Sequence, residues 1–239
     1  PERSSAASDV YKRQNLIDPT DGKKDLENRV VRFIGRPDER IKEDYLRILR
    51  YFRFLALFSD ISPDAEVMKT ISANLDKLSV VSKERQWNEL KSILSLNAPN
   101  NAISAMSEIG LLDDYFNGIG INDAFVNLIE IESKISFSID PILRLSTLIE
   151  NSLDKANTII KKLPLSKSES TDLLKLCTLN KKVVSYMSMK EVRYLLYLLG
   201  RDGFQKQILV TWAKDANNKN EVNWSCLLYT SPSPRDTVT

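Results

Sequence analysis

The sequence predicts a mainly α-helical protein, an elongated array of helices with a small strand-bearing segment at its N-terminal end. From Ile41 onward, apolar residues recur every three or four positions, which is the period of an amphipathic helix. Glycine is scarce, with 7 residues in 239, and the connections are short, so neighbouring helices are expected to pack together. The stretch VVRFIG, residues 30–35, is instead β-branched and aromatic, and it predicts one strand.

The first elements are marked by turn residues. Asp-Pro and Asp-Gly pairs in LIDPTDGKKDL, residues 16–26, predict turns rather than regular structure. Together with the strand they predict the end of a mixed α/β domain over residues 15–37. One continuous helix is expected over residues 40–58, and the Ser62-Pro63 pair predicts that the next helix starts at the proline.

Cap residues set the later boundaries. Ser82 is expected to cap KERQWNELKSIL, in which Trp87 is interpreted as a core residue, and Gly110 fits a left-handed helix end. Ser188 and Glu191 have capping-box spacing before VRYLLYLLGRD. In that helix the series Tyr194, Leu195, Leu198 is interpreted as core. Further helices are predicted near residues 122–133, 140–152, 154–163, 167–177 and 202–216.

The two ends of the chain encode each other's opposite strand. One DNA spelling of DVYKRQ, residues 9–14, has a reverse complement that spells CLLYTS, residues 226–231, in a shifted frame. Both ends resemble translated adapter sequence and are set aside from fold reasoning. The predicted organisation is a non-native tail, an α/β remnant, two helical regions and a second non-native tail, at residues 1–14, 15–37, 38–120, 121–224 and 225–239.

Composition excludes several classes of function. The chain has no histidine, so histidine-based catalysis and histidine metal sites are absent from it. Its formal net charge is only +2, so no overall basic field indicates nucleic acid, and a polyanion site must come from local placement. Outside the tails only Cys177 is left, which suits a reducing cytoplasm. No apolar run reaches the ~18 residues of a membrane span.

The helix predicted over residues 40–58 carries a candidate nucleotide-reading pair. On a helical wheel Asp44 and Arg47 lie one turn apart, within a sector of acids and bases. A carboxylate accepts from an exocyclic amine and a guanidinium donates to a ring nitrogen or carbonyl, a pattern that matches cytosine and adenine edges. Glu43 is placed to hold Arg47, and Arg50 to contact a phosphate. The alternative is an ordinary solvent-facing helix with ion pairs at three- and four-residue spacing.

Several motifs, in order, resemble one family. They are Asp18-Pro19 with Gly22 and Asp25-Leu26, then RFIG at residues 32–35, EDxxRxxR at residues 43–50, LSVVSKERQWNELKSIL and MSEIGLLDDYF. This set resembles the stretch that follows the catalytic core in bacterial tRNA nucleotidyltransferases, the class II CCA-adding enzymes, and in their poly(A) polymerase relatives. The resemblance covers roughly residues 18–116 and implies a neck, body and tail of helices behind a nucleotidyltransferase head.

The resemblance implies roles for particular residues. Asp44 and Arg47 would be an amino-acid template for incoming CTP and ATP, with Glu43 supporting the arginine and Arg50 near the triphosphate. The partner would be the 3′ end of tRNA. The hinge that lets the head move would be formed by Asp18, Gly22, Asp25 and Arg32. Thr20 and Asp21 replace an aromatic residue and a glycine of the usual DPFGG, which puts hinge behaviour in question.

The resemblance also implies Mg²⁺ in the full-length enzyme, because phosphoryl transfer needs metal ions. The family's metal-binding carboxylates and its RRD motif would precede Asn15, so this chain is predicted to bind no Mg²⁺ and to add no nucleotide. Measurable CMP or AMP transfer to tRNA by the purified chain would refute that prediction. Asp113 and Asp114 are interpreted as helix packing rather than as a metal site.

Other interpretations stay open. Lys83, Arg85 and Lys91 are candidates for tRNA backbone contacts, or else form a solvated helix face. Poly(A) addition is close to CCA addition in sequence. A helical RNA-binding or scaffold module without nucleotide recognition is the non-enzymatic alternative. No pattern in the sequence indicates an oligomeric state.

Overall fold

A computed structural model describes residues 18–58, 62–116, 120–179, 183–215 and 221–229. Within these ranges the chain is built from α-helices and one short 3₁₀-helix, Leu75–Val80, with no β-strand. None of the described helices is both long enough and apolar enough to cross a membrane. The helices in chain order are α1 Gly22–Glu27, α2 Pro37–Glu43, α3 Arg47–Leu57, α4 Ala65–Ser72, α5 Lys83–Leu94, α6 Asn100–Glu108, α7 Asp113–Phe116, α8 Asp123–Lys134, α9 Pro141–Leu148, α10 Leu153–Lys162, α11 Lys167–Leu179, α12 Met189–Lys214 and α13 Glu221–Tyr229.

The N-terminal segment differs from its prediction in two ways. Residues 30–35 form no strand, because no other segment in the described ranges pairs with their backbone and a strand needs such a partner. Phe33 instead stacks on Tyr51 of α3, with ring centroids 5.6 Å apart. Part of the predicted turn is helix α1, whose first N–H groups are bonded by Asp18.

The single helix predicted over residues 40–58 is broken at Asp44. Its backbone is extended there, with φ −157° and ψ 105°, and it separates α2 from α3. The wheel that placed Asp44 and Arg47 on one continuous helix is therefore wrong. The Asp44 side chain accepts from the Leu46 N–H, and its carbonyl accepts from the Arg47 N–H, so this aspartate forms the turn that precedes α3.

Most of the predicted helix boundaries agree with the structure. Ser82 caps α5, and Ser188 and Glu191 form a capping box at the start of α12. Gly110 adopts a left-handed φ of 75° after α6, a conformation that glycine reaches without steric cost. The helix predicted to start at Pro63 begins instead at Ala65, because the Asp64 side chain accepts from two N–H groups of its first turn.

One cluster of buried residues runs from Ile41 in α2 to Leu228 in α13. Helix α3 packs on α5 and α6, and α12 packs on α8, while α9 lies against α8 and α11. Trp87 is buried, as predicted. Trp212 and Trp224 are also core residues. Because one face of α3 is packed on α5, the charged residues of α3 can lie only on its remaining surface and at the edge of that contact.

The first half of α12 is not the core series that its period predicted. Leu195 is buried, but Tyr194 is 60% exposed and Leu198 is 49% exposed. The helix bends at Gly200, whose φ of 69° and ψ of 173° are not helical. The second half, which includes Phe204 and Ile208, buries more of its residues than the first half, where Val192 and Leu195 are buried. The bend changes which face of the helix packs against the core. The spacing of apolar residues in the sequence does not reveal such a bend.

The proposed terminal tails are mostly beyond the described ranges. The N-terminal tail, residues 1–14, lies outside them, as do residues 15–17 and 230–239. Residues 225–229 form the end of α13, where Leu227 and Leu228 are buried.

Candidate nucleotide-binding site

Asp44 is held by a helix far along the chain. Its Oδ2 lies 2.9 Å from Nη2 of Arg85, which belongs to α5 and is 41 residues away in sequence. Its Oδ1 accepts from the Leu46 N–H at 3.1 Å. The carboxylate is therefore fixed from two sides, although its backbone lies in the break between α2 and α3.

Arg47 is held by the glutamate that the sequence assigned to it. Its Nη1 lies 2.5 Å from Oε2 of Glu43, and the same nitrogen donates to the Arg40 carbonyl at 2.9 Å. Arg40 also contacts Glu43, at 2.9 Å. Hydrogen bonds from these two arginines lower the pKa of the Glu43 carboxyl, the bond from Arg47 most strongly. Glu43 is thus an anion that bridges two guanidinium groups.

Glu89 of α5 holds the next turn of α3. Its Oε1 accepts from Nε of Arg50 at 3.1 Å, and its Oε2 lies 3.4 Å from Nη1 of Arg53. The side chain of Glu89 is only 10% exposed, whereas those of the two arginines are 44% and 37% exposed. A nearly buried carboxylate therefore fixes the inner ends of two guanidinium groups that reach solvent.

An open cavity of about 370 Å³ lies between the N-terminal segment and α3. Its lining combines four arginines with apolar and aromatic side chains: Val31, Arg32, Phe33, Ile34, Arg40, Arg47, Arg50, Tyr51 and Phe54. Arg47 and Arg50 share this cavity, while Glu43 and Asp44 lie outside its lining. One guanidinium group can donate two parallel hydrogen bonds to a phosphate, and aromatic rings stack on nucleotide bases.

The predicted hinge residues form a small closed unit. Asp18 accepts from the N–H groups of Gly22 and Lys23 at 2.8 and 2.7 Å, and these bonds lower the pKa of its carboxyl. Arg32 donates to Asp25 at 2.8 Å and to the Thr20 carbonyl at 3.1 Å. All four predicted residues therefore take part in contacts that close the loop from residue 18 to residue 32, at the edge of the cavity.

The three RNA-binding candidates on α5 all have partners within the chain. Arg85 binds Asp44, and Nζ of Lys91 lies 2.6 Å from Glu169 of α11. Nζ of Lys83 lies 5.4 Å from the ring centroid of Tyr115. Arg85 and Lys91 keep 50% and 43% of their side chains exposed, so each retains open donor directions.

Sequence reasoning missed two features near candidate sites. Glu89 received no predicted role, although its four-residue spacing from Arg85 puts both side chains on one face of α5. A second cavity, about 500 Å³, lies at the Gly200 bend between α11 and α12. Its lining mixes acids, bases and leucines and includes none of the predicted site residues.

The described residues contain no cluster of metal-binding side chains. Throughout the ranges that the structure describes, no group of three or more cysteine, aspartate or glutamate residues could hold a metal ion. Asp113 is exposed in α7, and the side chain of Asp114 lies outside the described set. The described residues thus offer no donor set that fits Mg²⁺, and no chemical step is assigned to it.

Several known proteins resemble this chain in sequence or in fold. A family model described as "Probable RNA and SrmB- binding site of polymerase A" matches residues 60–119. The human protein "CCA tRNA nucleotidyltransferase 1, mitochondrial" is 36% identical over 138 residues, covering 56% of this chain and 31% of that protein. The "CCA-adding enzyme" of Bacillus subtilis is 34% identical over 100 residues, covering 41% of this chain and 25% of that enzyme.

A solved structure titled "tRNA-processing enzyme (apo form 2)" has the same fold. Its TM-score is 0.67 at 20% sequence identity, and the match covers 91% of this chain and 65% of the other. The chain is therefore similar in sequence to part of known nucleotidyltransferases, and residues 60–119 match a family model described as an RNA-binding site. By sequence the chain is similar to bacterial and mitochondrial CCA-adding enzymes, and the resemblance seen in the sequence is confirmed. It spans about a third or less of the length of those relatives.

Proposed function

We propose that this chain is the nucleotide-selecting and tRNA-binding helical part of a CCA tRNA nucleotidyltransferase. In the proposal Arg47 and Asp44 read the base edges of CTP and ATP, and Arg50 contacts the triphosphate. The observation that carries the proposal is the cavity in which Arg47 and Arg50 stand beside the stacked rings of Phe33 and Tyr51. The relatives' names supply the substrate class.

The charges of the cavity support this assignment. Glu43 binds Arg47, and Glu89 binds Arg50, so each guanidinium is held at one end and keeps its other donors available. A guanidinium fixed in this way loses little side-chain entropy when it binds a ligand. Asp44 is not part of the cavity lining. The proposal therefore requires that the base of a nucleotide bound in the cavity extends past the N-terminus of α3 to contact Asp44.

Arg47→Ala tests the reading role in an active enzyme. In a chimaera, residues 18–229 replace the matching helical part of the Bacillus subtilis enzyme, which keeps its own head. We expect the variant to lose about tenfold in the preference for CTP and ATP over GTP and UTP, because one base-edge contact is worth roughly 1–3 kcal/mol. Incorporation kinetics with each nucleotide measure the preference, and gel shift measures tRNA affinity.

The control for this experiment is Arg193→Ala, which removes an exposed arginine of α12. It should leave the nucleotide preference unchanged within about twofold. Equal losses of nucleotide preference and of tRNA affinity in Arg47→Ala would contradict a template role. They would instead favour a general basic surface.

Poly(A) addition is the second candidate function. It is favoured by the description of the family model that matches residues 60–119, which refers to polymerase A. Assaying the same chimaera with ATP alone and with ATP plus CTP separates the two candidates, since CCA addition requires CTP and stops after three nucleotides. Repeated AMP transfer without CTP would establish the second.

A further inference from the structure

Helix α5 contacts the charged residues of the candidate site through two side chains one turn apart. Arg85 reaches back to Asp44, and Glu89 reaches to Arg50 and Arg53. These ion pairs cross between helices that are about forty residues apart in the chain, so they exist only because α3 packs on α5. The basic Arg85 of α5 thus holds an acidic residue of the site, and the acidic Glu89 of α5 holds two basic ones.

Asp44 depends on this contact more than the arginines depend on theirs. It lies in the break between α2 and α3, where no helical backbone sets the direction of its side chain. Only 26% of the side chain is exposed, and both of its oxygens already accept one hydrogen bond. Each carboxylate oxygen has a second acceptor direction, which leaves Asp44 able to receive one more donor along a fixed line.

We propose that Arg85 is the positioning residue that aims the Asp44 carboxylate at the exocyclic amine of a cytosine or adenine nucleotide. The inference rests on the proposed function of the cavity and assigns to Arg85 a role other than the tRNA backbone contact expected from sequence. The Arg85 guanidinium fixes the orientation of the Asp44 carboxylate. It also offsets the negative charge of that carboxylate, which would repel an incoming triphosphate.

The fixed carboxylate defines the ligand class. It favours a nucleoside triphosphate whose base presents an amine donor, and it opposes guanine and uracil, which present a carbonyl oxygen at the corresponding edge. Arg47 supplies the complementary donor, and its own orientation is set by Glu43 rather than by α5. Loss of Arg85 is therefore expected to weaken the choice between bases while leaving the triphosphate contacts in place.

The test is a titration of the purified 239-residue chain with CTP, ATP, GTP and UTP, followed by NMR of arginine Nε–H groups and backbone amides. We expect the wild-type chain to prefer CTP and ATP by about fivefold, the lower end of what a base-edge contact supplies. Arg85→Ala should weaken that preference to less than about twofold while changing the average affinity for the four nucleotides by less than about twofold. Arg85→Lys, which keeps a cation near Asp44, should restore most of it.

Matched variants separate this inference from a structural or general charge effect. Arg36→Ala removes the same charge from an exposed pair with Glu39 at the start of α2, and it should keep the full preference. If Arg85 acts through Asp44, the Asp44→Ala and Asp44→Ala/Arg85→Ala chains should be indistinguishable. Amide spectra that overlay away from the site confirm that each variant is folded.

The outcomes are distinct for the two proposals. A wild-type chain that binds all four nucleotides equally would overturn the proposed function, and the inference with it. A wild-type preference that survives in Arg85→Ala would overturn the inference alone. Additive losses in the double variant would also overturn it, because Arg85 would then contact its ligand independently of Asp44.

Discussion

The Arg144→Met variant is expected to lose about 3–5 kcal/mol of unfolding free energy relative to the wild-type chain. Arg144 is 1% exposed, and its Nε and Nη2 lie 2.8 and 2.7 Å from Oε2 of Glu132. Its Nη1 donates to the carbonyls of Leu94 and Leu96, at the end of α5. Methionine fills much of the space but leaves a buried carboxylate and two carbonyls without this partner. Urea denaturation at fixed pH measures the loss.

A double replacement is the control for Arg144. Changing both residues, as Arg144→Met with Glu132→Leu, removes the charge that the single variant leaves unpaired. Such an apolar pair is expected to recover most of the lost stability, because desolvating two ions offsets much of their mutual attraction. A single variant that loses less than about 1 kcal/mol would contradict the buried network, since breaking buried pairs typically costs several times more.

The same pair gives stability a pH dependence. Burial raises the pKa of the Glu132 carboxyl above its ordinary 4.5, and the nearby Arg144 guanidinium only partly opposes this. The folded chain therefore keeps this proton to higher pH than the unfolded chain does. The contribution of Glu132 to unfolding free energy is fully present below about 4.5 and is lost as pH rises through the raised folded value. Glu132→Gln should remove that slope, and Arg144→Met should extend it toward neutral pH.

The Gln86→Ala variant is expected to lose about 3 kcal/mol of unfolding free energy, from several buried groups that each cost roughly 1–3 kcal/mol when unpaired. Gln86 is 1% exposed, and its Nε2 donates to the carbonyls of Leu78 and Val81 at 2.8 and 2.6 Å. Its Oε1 accepts from the Tyr115 hydroxyl at 2.6 Å. These bonds tie the 3₁₀-helix to the N-terminal turn of α5. Urea denaturation again measures the effect.

Tyr115→Phe is the matched control for Gln86, since it removes only one of the four hydrogen bonds of that side chain, which also accepts from Nζ of Lys83 at 3.3 Å. Its expected loss is about 1 kcal/mol. Equal losses of unfolding free energy in the two variants would show that the hydrogen bonds to the Leu78 and Val81 carbonyls contribute nothing.

Because Arg85 adjoins Gln86 at the start of α5, Gln86→Ala should also weaken the contact between Arg85 and Asp44.

The local sequence predicted the helices well where the period is strong and the caps are explicit. Ser82, Ser188 and Gly110 occupy the predicted ends because a cap depends only on residues within one turn. The break at Asp44 was missed because its apolar period continues across it: Ile41, Tyr45 and Ile48 keep helical spacing. The exposed Tyr194 was missed for a related reason, since a period says which residues share a face but not whether that face is covered.

At the candidate site the sequence found most of the charged residues but not all of their partners. It paired Glu43 with Arg47 correctly, because the two lie four residues apart, which brings side chains together across the end of one helix and the start of the next. It placed Arg85 with RNA and left Glu89 without a role. Their contacts with Asp44 and Arg50 join α5 to segments about forty residues earlier, and no local spacing encodes such a pair.

The sequence by itself determined that this protein is helical, where most helices begin and end, and which family it resembles. These properties follow from backbone hydrogen bonds and side-chain neighbours a few residues apart. Only the tertiary structure decided that Asp44 leaves the helix, that it is held by Arg85, and that four arginines share one cavity. Those features arise when α3 packs on α5, because burial of their apolar faces brings together charges that are distant in the chain.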